Sequence, residues 1–183
     1  SRSKEAKLMG VKMGMPLFQA QKEFPECIYI NADHYSYTSI SKQVMSILKE
    51  YSPYVQIYSI DEAFIDLTGL TKVYKMNYYK LAKAIRQRIL DETDIPVSIG
   101  VSRSKTLAKL ASDFSKNTKE HIVILGKAKI KRFLAKTDVA SVWGFGRKLS
   151  VKLNGYCIQT ALEYVNKNDE WIKKRFGKNG LFT

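Results

Sequence analysis

Asp61 and Glu62 stand side by side within Ile57-Tyr58-Ser59-Ile60-Asp61-Glu62-Ala63-Phe64-Ile65-Asp66, a run that is otherwise mostly apolar or aromatic. Ionised carboxylates in such surroundings are costly unless a cation or hydrogen-bond donors compensate them. Magnesium is a suitable cation, since it takes hard oxygen ligands from one or two carboxylates and completes its shell with substrate phosphates. A turn between two strands would project the pair rigidly toward a nucleotide. A polar hairpin turn open to water explains the same residues without any chemistry. Asp66 reads as a structural or capping residue.

Two further segments have a chemistry suited to phosphate. Ser102-Arg103-Ser104-Lys105-Thr106-Leu107-Ala108-Lys109 follows a strand pattern and opens a helical one that ends at Ser115-Lys116-Asn117. Free N–H groups and the helix dipole favour an anion there, and Ser104 is a natural N-cap. Helix capping and a solvated basic face account for the segment equally well. Val142-Trp143-Gly144-Phe145-Gly146-Arg147-Lys148 reads as an apolar Gly-x-Gly turn between two helices, with Arg147 and Lys148 opening the second. A helix-hairpin-helix of this kind presents backbone N–H groups to a DNA phosphate without reading bases. Lys4 and Lys7 lie one helical turn apart and could meet a triphosphate from one face. His34 and His121 lack metal-ligand spacing, and Cys27 and Cys157 are too isolated for a disulfide framework or a zinc site; two lone thiols suit a reducing cytoplasm.

The charge distribution sharpens the phosphate reading. The chain has 183 residues and a formal charge of +14. Residues 1–101 carry 13 basic and 11 acidic side chains, whereas residues 102–183 carry 18 and 6, a net of +12. A concentrated excess of this size attracts polyanions, because each neutralised phosphate releases counterions. No run approaches the roughly 18 apolar residues needed to span a bilayer, and the polar opening Ser1-Arg2-Ser3-Lys4-Glu5 has no apolar signal region. The sequence does not begin with Met, so the start of the gene product is expected to lie upstream.

Hydrophobic spacing supplies the positioning elements. Helices are expected over Lys4 to Gly14 (closed by Gly10), Tyr35 to Tyr51, Tyr78 to Leu90 and Ser104 to Lys116. Strands are expected at Ile28–Ile30, at two places within Tyr54–Leu67, at Pro96–Val101 and at Ile122–Leu125. This order predicts a ferredoxin-like α/β sheet with helices on one face. After Gly126 only short basic helices and tight turns are expected, which places a domain boundary near residue 126.

Taken in order, these segments resemble the Y-family translesion DNA polymerases. Ser59-Ile60-Asp61-Glu62-Ala63-Phe64 is similar to their central catalytic signature, and Glu5 to Pro16 to their fingers motif. Gly100 to Ser112 resembles their late palm segment, and Gly144-Phe145-Gly146 falls where their thumb has its helix-hairpin-helix. The wording over Lys7–Met13 is nearest to the bacterial UmuC-type branch (ImpB/MucB/SamB-like). The resemblance implies an α+β chain with partial fingers over 1–33, a palm with a ferredoxin-like sheet over 34–125, and a small all-α thumb over 126–183. It also implies that Asp61 and Glu62 are catalytic and hold two Mg²⁺ ions, with Mn²⁺ as a substitute. Lys116, Lys7 and Lys4 would meet the dNTP triphosphate. Lys7 stands where many members have arginine, and Lys4 where tyrosine is common. DNA contacts would come from Ser102, Arg103, Ser104, Lys105, Gly144, Phe145, Gly146, Arg147 and Lys148. The implied activity is template-directed synthesis across damaged DNA in an SOS-type repair response. Its partners would be primer–template DNA, dNTP, a sliding clamp and accessory repair proteins, in the bacterial cytoplasm at the nucleoid and without a membrane. Members also have a strand with another metal-binding Asp ahead of the fingers and a further C-terminal DNA-binding domain. The chain therefore reads as a fragment, expected to bind DNA and polymerise feebly by itself. The alternative is a non-catalytic polymerase-like DNA-binding scaffold; a palm-fold nucleotide cyclase would have no use for the thumb turn.

Overall fold

The computed structural model describes residues 2–181. They form two compact units divided between Tyr37 and Thr38. In the first unit, α1 (Lys4–Leu8) starts at Ser3, whose Oγ accepts from the Ala6 N–H at 3.1 Å. It stops at Gly10, where φ of +102° lets the Val11 N–H turn back onto the Ala6 carbonyl at 3.0 Å. Pro16 then opens α2 (Leu17–Glu23), a short helix that apolar spacing does not reveal because only Ala20 on it is buried. The strand expected at Ile28–Ile30 does not form. Ile28 and Ile30 are 89% and 86% exposed, and no described segment pairs with them; a strand with neither ladder partner nor buried face gains nothing to offset its ordering.

In the second unit the expected helices and strands appear. α3 (His34–Tyr51) leads into β1 (Val55–Ile57) and β2 (Ala63–Ile65), followed by a single turn, α4 (Leu70–Val73), and by α5 (Tyr78–Thr93). Next come β3 (Ile99–Val101), α6 (Lys105–Ser115) and β4 (Ile122–Ile124). β1 and β2 are antiparallel with Gln56 opposite Phe64; β3 and β4 are parallel, with α6 as the crossover. Among the described residues the strands form these two separate pairs rather than one continuous ladder. Both pairs contribute to one core all the same. Val55, Ala63, Ile65, Ile99 and Val101 pack with Met45, Ile47 and Leu48 of α3 and with Leu81, Ile85 and Ile89 of α5. The last three recur every four residues, so a single apolar stripe of α5 enters that core.

α6 covers the opposite side of β3. Period-two alternation turns Ile99 and Val101 toward the α5 side and Gly100 toward α6. A Cβ at Gly100 would fall inside the van der Waals envelope of the Ser112 amide and the Ala108 carbonyl, so only glycine allows strand and helix backbones this close. The Ser112 hydroxyl donates to the Ser98 carbonyl at 3.1 Å across the same contact. On its other side α6 sends Leu107 and Leu110 into a second core. That core is built by α7 (Lys127–Leu134), a 3₁₀ turn (Val139–Ser141), α8 (Arg147–Gly155), α9 (Ala161–Val165) and α10 (Asp169–Leu181, broken at Gly177). Leu153, Ile158 and Val139 are its most buried members. A capping box at α9, Thr160 with Glu163, ties down the turn before it.

Candidate active site on the acidic hairpin

The loop between β1 and β2 holds the two carboxylates. Tyr58 and Ser59 N–H both donate to the Glu62 carbonyl, at 2.9 and 3.0 Å, which closes the turn. The Ser59 hydroxyl donates to Asp61 Oδ1 at 2.6 Å and accepts from the Asp61 N–H at 3.3 Å. Behind the turn, the Ser41 hydroxyl of α3 donates to the Ile60 carbonyl at 2.5 Å. Asp61 thus sits at an exposed tip whose backbone is fixed from three directions, with only a neutral hydroxyl on its carboxylate.

Glu62 is placed differently. Its carboxylate forms an ion pair with Lys109 Nζ from the middle of α6, and the two side chains keep 37% and 21% of their exposure. Partial burial pulls the Lys109 ammonium toward a lower pKa; the hydrogen bond and charge of Glu62, reinforced by Asp113 and Tyr58, more than reverse this and leave it above its ordinary value. Lys105, one turn earlier on α6, bonds to the Gln56 side chain. Gln56 and Phe64 face each other in the register, and one helix therefore holds this side of the hairpin at two points. Asp66 is held by the Thr68 hydroxyl and by the Thr68 N–H, which donates to it at 2.8 Å; together these keep its carboxyl below the ordinary range and make it the structural residue expected.

The remaining predicted residues fall into three groups. Lys4 and Lys7 are exposed on α1 in the N-terminal unit. Lys116, at the C-cap of α6, is engaged with Asp113 at 2.6 Å and has no contact with the hairpin acids. Ser104 caps α6 by accepting from the Leu107 N–H at 3.3 Å, Arg103 beside it is exposed, and the Ser102 hydroxyl is spent on the Leu125 carbonyl at 2.9 Å. In the Gly-x-Gly turn before α8, Gly144 adopts φ of +90° and Gly146 is the N-cap of α8, whose first residues Arg147 and Lys148 are exposed. Phe145 needs correction as a DNA contact. Its ring is buried against Tyr164 at a centroid distance of 4.8 Å, and its N–H donates to the Val142 carbonyl at 2.9 Å, because the turn packs its apolar residue inward.

Sequence reasoning missed two participants. Lys109 lies 47 residues from Glu62, and its only local signal is a lone cation on the apolar face of α6. Trp143 stood out only as part of the Gly-x-Gly motif, yet its indole touches Tyr58 and Phe64 of the hairpin.

As ligands, the two carboxylates on adjacent residues are hard oxygen donors that fit a magnesium-class ion completed by phosphate and water. Among the described residues no cluster of three or more His, Cys, Asp or Glu adds to them. Nor is any described helix long and apolar enough to cross a membrane.

Comparison with known proteins agrees with this geometry. The chain is 38% identical over 178 residues to DNA polymerase IV 1 of Halalkalibacterium halodurans, and 36% identical over 180 residues to protein UmuC of Salmonella typhimurium. These alignments take in 97% and 95% of the chain but 42% of each relative, so the chain spans less than half the length of the curated relatives it matches. DinB of Sulfolobus solfataricus superposes with a TM-score of 0.80 at 31% identity, over 97% of this chain and 52% of that one. An insertion ternary complex of Dbh DNA polymerase gives 0.84 at 30% identity, over 98% and 52%. Residues 1–113 match the impB/mucB/samB family, and the chain belongs to that family, the Y-family DNA polymerases.

Proposed function

We propose that this chain supplies the palm and thumb of a translesion DNA polymerase that extends a primer opposite damaged template. The observation that carries the reading is Asp61: an exposed carboxylate, with no ion pair among the described residues, held at the tip of a hairpin whose other acid is its immediate neighbour. Asp61 and Glu62 would hold divalent metal, Mg²⁺ or Mn²⁺, which when bound would activate the primer 3′ oxygen and stabilise the leaving pyrophosphate. Asp61 is available as it stands, whereas Glu62 must exchange its ammonium partner for metal. Lys109 then acts as a placeholder that keeps Glu62 ordered and limits repulsion between the two acids. Lys116, Lys7 and Lys4 orient the triphosphate. Arg103, Lys105, Arg147, Lys148 and the amides around Gly144 and Gly146 grip the duplex backbone. The assignments 1–33 fingers, 34–125 palm and 126–183 thumb belong to the same proposal. So do a sliding clamp, accessory repair proteins and a place at the nucleoid.

The test uses the intact protein that contains this chain. Asp61→Asn is expected to lower primer extension by roughly 10²–10³ while leaving duplex affinity within about twofold. Extension that survives the substitution, or duplex binding that disappears with it, overturns the catalytic role. The Glu62–Lys109 pair favours a second reading, a DNA-binding scaffold in which Glu62 only ties the hairpin to α6. Lys109→Met separates the two. A catalytic Glu62 released from its lysine binds Mn²⁺ more tightly, whereas a tethering Glu62 leaves metal affinity unchanged and the protein less stable.

A further inference from the structure

Trp143 stands between two residues with their side chains in the helical core, Val142 and Phe145, and just before the left-handed Gly144. Its backbone is therefore fixed by the thumb, but its indole leaves that core and lies on the acidic hairpin. The ring meets Tyr58 edge-on at 5.0 Å and Phe64 at 5.4 Å, and the indole N–H donates to the Tyr58 hydroxyl at 3.1 Å. Tyr58 closes the turn through its own N–H to the Glu62 carbonyl, and Phe64 lies two residues past Glu62 on the same face. The second attachment on this face, Lys109 to Glu62, also comes from an element rooted in the helical core, since Leu107 and Leu110 flank Lys109 on α6.

We propose that Trp143 is a positioning residue: through its hydrogen bond and ring contacts with Tyr58 and Phe64 it sets the hairpin carboxylates relative to the thumb turn. Where the duplex is gripped and where metal is held are then linked by one side chain. This rests on the polymerase reading for its effect on catalysis but not for the linkage itself. Three aromatic rings and one directed N–H give the contact a defined orientation, which greasy packing alone would not. Displacing a metal-holding group by an ångström is enough to cost orders of magnitude in rate, so a tether this close acts on turnover before it acts on affinity.

Two measurements test it. In single-nucleotide extension by the intact protein, Trp143→Ala is expected to reduce kcat about tenfold, with KM for dNTP and the duplex Kd within about twofold. Trp143→Phe, which keeps a ring and loses the N–H, should recover part of that loss, and Tyr58→Phe should match Trp143→Phe. An unchanged kcat, or a parallel loss of kcat, duplex affinity and thermal stability that Phe does not rescue, overturns the proposal in favour of ordinary packing. The second measurement needs no turnover. In a Trp171→Phe background Trp143 is the one tryptophan left in this chain, and its emission, taken in the intact protein as the difference from the same background with Trp143→Phe, should change as Mn²⁺ is added without DNA, a response that Asp61→Asn removes. Silence of Trp143 on metal addition overturns the linkage even in an active polymerase. A metal-dependent signal in a protein that never extends a primer would instead sustain the linkage and sink the polymerase reading.

Discussion

The strand core and the helical core of residues 38–181 handle charge in opposite ways. Around the strands, several acids and bases are paired: Arg88 bridges Glu50 and Glu92 at 2.6 Å each, Lys83 meets Glu120 at 3.7 Å, and Lys109 meets Glu62. From Lys127 onward no described ion pair occurs, and two of the four acids, Asp138 and Glu163, serve the backbone instead. Asp138 Oδ1 accepts from the Ala140 N–H at 2.8 Å, and Glu163 accepts from the N–H groups of Gln159 and Thr160. Cations of this half meet aromatic rings, as Arg175 does over Trp171 at 4.5 Å, or backbone, as Lys152 does in donating to the Arg175 carbonyl at 3.0 Å. The first region pairs several of its charges internally, and Asp61 at the hairpin tip is among its exposed acids with no ion pair to a described residue. The second keeps a standing positive field of the kind that attracts polyanions by counterion release.

The two cores share α6, and this gives the comparison its most severe test. Gly100→Val should destabilise the whole second unit by several kcal/mol, on the order of the largest overpacking costs, because the added side chain meets backbone atoms on α6. Chemical denaturation followed by circular dichroism and by tryptophan fluorescence would show it. Coincident loss in both probes supports one cooperative unit, whereas separate transitions would divide the regions energetically. Leu153→Ala in the helical core should cost roughly 2–5 kcal/mol and, through Leu110, lower the same single transition.

Salt separates the regions next. Duplex binding should weaken steeply between about 50 and 200 mM salt, and Arg147→Ala with Lys148→Ala should flatten the log–log slope by roughly two. The pair Lys83→Ala and Lys72→Ala, on the matched side, should leave that slope nearly unchanged. A smaller effect comes from the α9 cap, where Thr160→Ala should cost about 1 kcal/mol in a thermal melt.

Least in size is the pH response, and it has opposite signs in the two regions. The raised Lys109 contributes stability that is complete below the ordinary lysine range and is lost as pH climbs through its elevated value. Glu163, lowered by its hydrogen bonds to the backbone of Thr160 and Gln159, contributes stability present above the ordinary glutamate range and lost as pH falls through its depressed value. Glu62→Gln should remove the alkaline component alone and Glu163→Gln the acidic one, each read as the difference in Tm against pH from the parent.

Much of this arrangement could be read directly from residue order. Ile40, Val44, Ile47 and Leu48, and then Leu81, Ile85 and Ile89, mark α3 and α5 because one stripe of each is truly buried. The hairpin was legible because strand-forming residues flank a charged turn. Failure came where burial and local pattern part company. Ile28-Tyr29-Ile30 has strand composition but lies exposed, while α2 has no apolar stripe and is set by Pro16 at its start. Among the site residues, Asp61 and Glu62 were identifiable as a pair, but their unequal situations were not. Glu62 meets Lys109 and Phe64 meets Trp143 only through tertiary structure, across 47 and 79 positions, and no local spacing encodes such contacts.

The bare approach of β3 to α6 has a last consequence. With no side chain at Gly100 to compress or re-pack, strand and helix behave as a single plate, and the leucines of the helical core are bolted to its far side. Any swing of the helical core against the hairpin must therefore bend the chain beyond Ser115 or break the Trp143 contact, and the tryptophan becomes the natural latch for such a motion.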